Sequence, residues 1–120
     1  MKKILIVDDE PNIVMTLEYT FKKSNYEVFI ARDGQEALDI LKTNFPDVII
    51  LDIMMPMVDG FATLEQIRKD ANLQHTKVMF LSAKNKESDI EKGLALGADA
   101  YMTKPFSIKK VVEKVEELLS

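Results

Sequence analysis

The sequence predicts an α/β fold in which one parallel sheet is covered by helices on both faces. Short runs of branched aliphatic residues, such as Val48-Ile49-Ile50-Leu51, read as strands buried on both sides. They alternate with longer segments whose apolar residues recur at helical spacing, the pattern of a parallel sheet built from strand–helix units. Several of the runs also end on a polar group, and the central one ends on Asp52. In open parallel sheets chemistry collects at the carboxyl ends of the strands, so Asp52 is the residue around which the others are read.

In chain order, Lys3 to Asp8 (KILIVD) is strand 1. Pro11 follows where the first turn of a helix tolerates a missing N–H. Ile13, Val14, Leu17 and Phe21 form the stripe of helix 1, which closes at Ser24-Asn25. Glu27 to Ala31 is strand 2. Asp33-Gly34-Gln35-Glu36 is a capping-box pattern that opens helix 2, with Ala37, Leu38 and Leu41 facing inward. Strand 3 runs from Val48 to Asp52, bounded by Pro46-Asp47 and Pro56. Gly60 leads helix 3, with Phe61, Leu64 and Ile67 in step. Lys77 to Ser82 is strand 4, Lys86 to Leu96 is helix 4, and Gly97 suits the position just past its end. Asp99 to Thr103 is strand 5. Ser107 caps helix 5, whose stripe is Ile108, Val111, Val112, Val115, Leu118 and Leu119.

The chain of 120 residues has the size of one domain and can bury one core. With 47% hydrophobic and 30% charged residues it reads as a soluble globular protein rather than a disordered one. Its apolar runs are too short to span a membrane, and Asp8-Asp9 interrupts any signal-peptide core, so a cytoplasmic location is expected. The absence of cysteine excludes disulfides and thiolate metal sites. A net charge of −4, with Arg32 and Arg68 the only arginines, leaves no basic stripe for direct nucleic-acid binding.

One doubly wound solution for five strands is the flavodoxin-like order 2-1-3-4-5, which sets the ends of strands 1 and 3 side by side. Asp8 and Asp9 then face Asp52. Carboxylates converging at one edge repel unless a cation joins them, and all-oxygen ligands suit Mg²⁺ or Mn²⁺. Ser82 ends strand 4 and Lys104 follows strand 5. A carboxylate nucleophile, a divalent metal, a hydroxyl and an ammonium group together form a phosphoryl-transfer site, with Asp52 able to hold phosphorus as an acyl phosphate.

The motifs Ile6-Val7-Asp8-Asp9-Glu10, Leu51-Asp52-Ile53-Met54-Met55-Pro56 with Asp59-Gly60, Leu81-Ser82-Ala83, and Gly97-Ala98-Asp99-Ala100-Tyr101 running into Lys104-Pro105-Phe106 resemble the receiver domain of bacterial two-component response regulators. The resemblance covers essentially the whole chain, so residues 1–120 are expected to be one receiver domain of the chemotaxis-regulator fold. It implies that Asp52 accepts phosphate from a sensor histidine kinase or a histidine phosphotransfer protein. It further implies that Asp8, Asp9, Asp52 and the backbone carbonyl of Met54 hold Mg²⁺, with Asp9 the more direct ligand. By the same resemblance Ser82 is the switch hydroxyl, Tyr101 the aromatic that turns inward, and Lys104 a phosphate contact preceding a cis proline. The output would be a change of the helix 4–strand 5–helix 5 face. That face would control an output protein, or an output domain absent from this chain, and the protein would be a monomer or a phosphorylation-linked dimer. The match departs from the winged-helix transcription-factor subfamily at Ala100 and in the lack of an arginine on helix 5, against its usual salt-bridged dimer.

The switch is expected to assist its own phosphorylation and dephosphorylation without being a conventional enzyme. The competing reading is a Mg²⁺-dependent aspartyl-phosphate phosphohydrolase. The haloacid-dehalogenase-like phosphatases, which are similar in chemistry, carry their nucleophile on strand 1 in an Asp-x-Asp pattern, where this chain has Asp8-Asp9-Glu10. A flavodoxin-like cofactor binder would need a phosphate-cradling loop after strand 1, and the acidic Asp8-Asp9-Glu10-Pro11 repels phosphate. The family resemblance implies that Met54 and Lys84, two residues past Asp52 and Ser82, flank the phosphoryl group. A bulky Met54 would obstruct water and lengthen the phosphoryl lifetime. His75 is expected at the surface, Met54, Met55 and Met57 packed in their loop, and Lys109, Lys110 and Lys114 on a solvated face.

Overall fold

A computed structural model describes residues 1–120. Five parallel strands pair in the order β2-β1-β3-β4-β5: β1 (Lys3–Val7), β2 (Glu27–Ala31), β3 (Val48–Leu51), β4 (Lys77–Ser82) and β5 (Ala100–Thr103). The helices between and after them are α1 (Pro11–Lys23), α2 (Gly34–Ile40), α3 (Gly60–Lys69), α4 (Glu87–Ala95) and α5 (Ile108–Leu119). Element for element this is the expected alternation. A one-turn 3₁₀ helix at Ala71–Leu73, not evident from periodicity, lies between α3 and β4.

The period of two along each strand sorts the core into two layers. Leu5, Val7, Ile49, Leu51, Val78 and Phe80 point to the face covered by α2 and α3. Ile4, Ile6, Val48, Ile50, Met79 and Leu81 point to the other, where Leu17 and Phe21 of α1 and Val111 and Val115 of α5 close over them. Alternate residues are therefore buried on opposite sides, which is why the strands contain so few polar positions.

Local chemistry sets the helix ends. Asp33, Asp59 and Ser107 each accept an N–H of the first turn, at Glu36, Ala62 and Lys110, and each such cap is worth about 1 kcal/mol. Gly97, at φ 109°, ends α4 in a conformation that a side chain would strain. Strands 1 and 3 end one residue earlier than expected, at Val7 and Leu51, because Asp8 and Asp52 turn toward the edge. Their amides still extend the sheet, donating to the carbonyls of Ala31 and Val7. Strand 5 likewise starts at Ala100, since Asp99 meets β4 through its side chain: its Oδ2 accepts the Val78 N–H at 2.8 Å.

Candidate site at the carboxyl edge of the sheet

The register sets the ends of β1, β3 and β4 next to one another, Val7 beside Leu51 and Leu51 beside Phe80. The residues that follow converge. Asp8 and Asp52 are 3% and 4% exposed, and Ser82 is completely buried. Carboxylate oxygens of Asp8, Glu10 and Asp52 lie within 4.8 Å of one another. Asp9, expected among the ligands, is exposed and outside this group, whereas Glu10 joins it. Nothing in the sequence singled out Glu10 for this role, although it lies two residues past Asp8 on the same loop.

One cation serves all three acids. Nζ of Lys104 is 2.9 Å from Asp8 Oδ2, 3.2 Å from Glu10 Oε1 and 3.5 Å from Asp52 Oδ2. Lys104 reaches this point from the loop after β5, through a cis Lys104-Pro105 bond as expected. Backbone amides take the other oxygens: Glu10 N–H donates to Asp8 Oδ1 at 2.9 Å, and Ile53 N–H to Asp52 Oδ1 at 2.8 Å.

These surroundings set the ionisation. Burial raises the Asp8 pKa and the Asp52 charge adds to it, against the Glu10 amide and Lys104, which favour the carboxylate. For Lys104 burial opposes the charged form, but Asp8, Asp52 and Glu10 together outweigh it and its pKa is raised. Three carboxylates gathered on one ammonium group leave formal negative charge in excess of its local compensation. The donor set is all oxygen, which fits a hard divalent cation such as Mg²⁺ or Mn²⁺ and not a soft one.

Tyr101 stands half-buried on β5 with its ring 5.7 Å from that of Phe80. Its hydroxyl donates to the Lys84 carbonyl at 2.7 Å, and the Lys84 N–H in turn donates to Ser82 Oγ at 3.3 Å. Burial, then the charges of Asp89 and Asp52, push the phenol pKa upward, so it keeps the proton it donates.

The loop after Asp52 corrects one expectation. Met54 and Met57 are 59% and 83% exposed and do not pack the loop; only Met55 leans on the core. Met57 has φ 70°, which turns the chain so sharply that its side chain leaves the surface. His75 is exposed, as expected, and Lys109 and Lys110 are exposed with Lys114 half-buried.

A groove of about 520 Å³ opens beside the cluster, lined by Glu10, Ile13, Ala83, Lys104, Pro105 and Phe106. No helix is long and apolar enough to cross a membrane.

Comparison with known proteins gives concordant matches. The profile described as "Response regulator receiver domain" matches residues 4–116. The alkaline phosphatase synthesis transcriptional regulatory protein PhoP of Bacillus subtilis (strain 168) is 46% identical over 118 residues, covering 98% of this chain and 48% of that protein. The chain thus spans about half the length of this curated relative, 48%. Among solved structures, the Francisella response regulator 1452 receiver domain is 37% identical with a TM-score of 0.91, over 99% of this chain and 97% of that one. The chemotaxis response regulator CheY4 of Vibrio cholerae is 31% identical with a TM-score of 0.93, over 99% of both chains.

Proposed function

Because the chain belongs to the response regulator receiver domain family of two-component signalling, we propose that it is a phosphorylation-operated switch with Asp52 as phosphoacceptor. The observation that carries the proposal is the convergence of Asp8, Glu10 and Asp52 on the single ammonium group of Lys104 at the carboxyl edge of the sheet.

In the proposed reaction an Asp52 carboxylate oxygen attacks the phosphorus of a phosphohistidine on a sensor kinase or phosphotransfer protein. The P–N bond breaks, its electron pair stays on the imidazole nitrogen, and an aspartyl phosphate forms. The Ile53 amide, bonded to Asp52 Oδ1, orients the carboxylate. Lys104 neutralises charge on the transferring group, and Ser82 has its hydroxyl proton free to donate to a phosphoryl oxygen, since its Oγ accepts from Lys84. A divalent cation supplies further charge neutralisation when bound. Asp8 and Asp52 would hold it with Glu10 beside them, and Asp9 and the Met54 carbonyl complete the set implied by the family resemblance.

The product is a conformation, read through Ser82 and Tyr101 at the α4–β5–α5 face by an output partner or domain. Its proposed setting is the cytoplasm, with residues 1–120 acting as one receiver domain. An aspartyl-phosphate phosphohydrolase is the competing enzyme class, and sustained release of many phosphates per molecule would identify it. Exposed Met54 is free to lie over the phosphoryl group, so Met54→Ala should shorten the lifetime of the phosphorylated form. An unchanged decay would remove that role.

Intact-mass analysis after incubation with acetyl phosphate tests the main proposal. The expected result is one phosphoryl adduct that requires Mg²⁺ and is missing in Asp52→Asn. An equal adduct in Asp52→Asn would overturn the assignment.

A further inference from the structure

Among the five helices α4 alone buries a single residue. Its first turn lacks a side-chain cap, and its one buried residue is Gly93. A glycine inside a helix costs about 1 kcal/mol relative to alanine. The reason for it lies directly beneath the helix. A Cβ on Gly93 would stand 3.0 Å from Cδ2 and Cε2 of Phe80 and 3.1 Å from Cδ2 of Tyr101, closer than side chains ordinarily pack. Phe80 is completely buried and wedged edge-on against Phe61, with ring centroids 5.6 Å apart. Of the two neighbours, only the half-buried Tyr101 ring, on the edge strand β5, has room to yield.

What Tyr101 would give up is specific. Its hydroxyl holds the Lys84 carbonyl while the Lys84 N–H holds Ser82 Oγ, so the backbone of one residue joins the ring to the hydroxyl at the sheet edge. We propose that Gly93 is a positioning residue for Tyr101: its missing side chain is the clearance that lets α4 seat on the ring while the phenol bonds Lys84. A side chain at position 93 presses on the ring, which must give by a few tenths of an ångström, and so strains the phenol's bond to Lys84 and the link from α4 to the Ser82 loop. The inference rests on the reading of Ser82 and Tyr101 as the switch pair, but it names a residue outside that pair.

The test uses protein labelled with 3-fluorotyrosine and no phosphodonor, so its outcome does not depend on whether Asp52 accepts phosphate. The Tyr101 resonance is assigned with Tyr101→Phe. In Gly93→Ala that resonance should shift or split while those of Tyr19 and Tyr26 stay in place. An unmoved Tyr101 resonance would overturn the proposal. Urea unfolding of Gly93→Ala in wild-type and Tyr101→Ala backgrounds supplies a second readout. The methyl group should cost more stability where the ring is present than where it is absent, because Tyr101→Ala leaves only the Phe80 contact against it. The same effect in both backgrounds, including failure to fold in both, would refute it.

Discussion

The two edges of the sheet use the same side chains to opposite ends. At the amino edge, Asp47 Oδ2 accepts the Lys3 N–H at 2.7 Å, and Asp99 Oδ2 accepts the Val78 N–H at 2.8 Å and pairs with Arg68 at 3.0 Å. Arg68 adds bonds from Nε to the Gly97 carbonyl and from Nη1 to the Thr76 carbonyl, each at 3.0 Å. Each acid there has its own partners, and the ends of α3, β4 and β5 are tied together. At the carboxyl edge, three acids share Lys104, and burial pushes Asp8 upward in pKa. Charge at one edge is consumed in structure. At the other it is left in excess, where it would attract a divalent cation.

Removing the basic partner at each edge should separate the two most strongly. Lys104→Met leaves Asp8 and Asp52 buried beside each other without a cation, and the metal-free protein should lose about 3 kcal/mol in urea unfolding. Arg68→Ala breaks the ties among α3, β4 and β5 and should lose about 2 kcal/mol. It should leave the yield of the Asp52 adduct unchanged, whereas Lys104→Met should lower it.

Removing an acid should change the sign. Asp52→Asn keeps the bond from Ile53 and relieves the repulsion on Asp8, so the metal-free protein should gain about 1 kcal/mol while losing its adduct. Asp99→Ala strands the Val78 amide and should lose about 2 kcal/mol by the same unfolding measurement. If both substitutions destabilised alike, the edges would not differ in the way described.

A smaller effect concerns pH. Asp8 has a raised pKa in the folded protein, so between its ordinary 3.8 and the raised value the native state binds the extra proton. This group therefore lowers stability as pH rises through that window. Urea midpoints measured in EDTA should show Asp8→Asn gaining on wild type across it and no further above it.

Much of this was legible in the sequence. Apolar runs such as Val48-Ile49-Ile50-Leu51 are unmistakable because a strand buried on both faces tolerates few polar residues, and the observed strand order is one of the solutions that doubly wound topology allows. The convergence of Asp8, Asp52, Ser82 and Lys104 on one edge was legible for the same reason. Less visible were features set by side-chain reach rather than by period. Glu10 enters the cluster by bending back from the start of α1, and Arg68 crosses to Asp99 from another element. Met54 and Met57 read as packing their loop, yet both are exposed, and Met57 lies at a turn with positive φ. Gly93 is silent in a sequence, since its role is the space it leaves.

Whether the carboxyl edge holds unspent charge for a cation is tested most directly by the response of stability to Mg²⁺. Thermal unfolding should be followed against Mg²⁺ concentration in wild type, Asp52→Asn and Asp99→Ala. Ligand linkage predicts that wild type gains about 2.7 kcal/mol at a hundred times the dissociation constant. Asp99→Ala should show the same dependence from a lower starting point, and Asp52→Asn should lose most of it. A wild-type melting temperature indifferent to Mg²⁺, or an equal response in Asp52→Asn, would mean that the carboxyl edge holds no such charge.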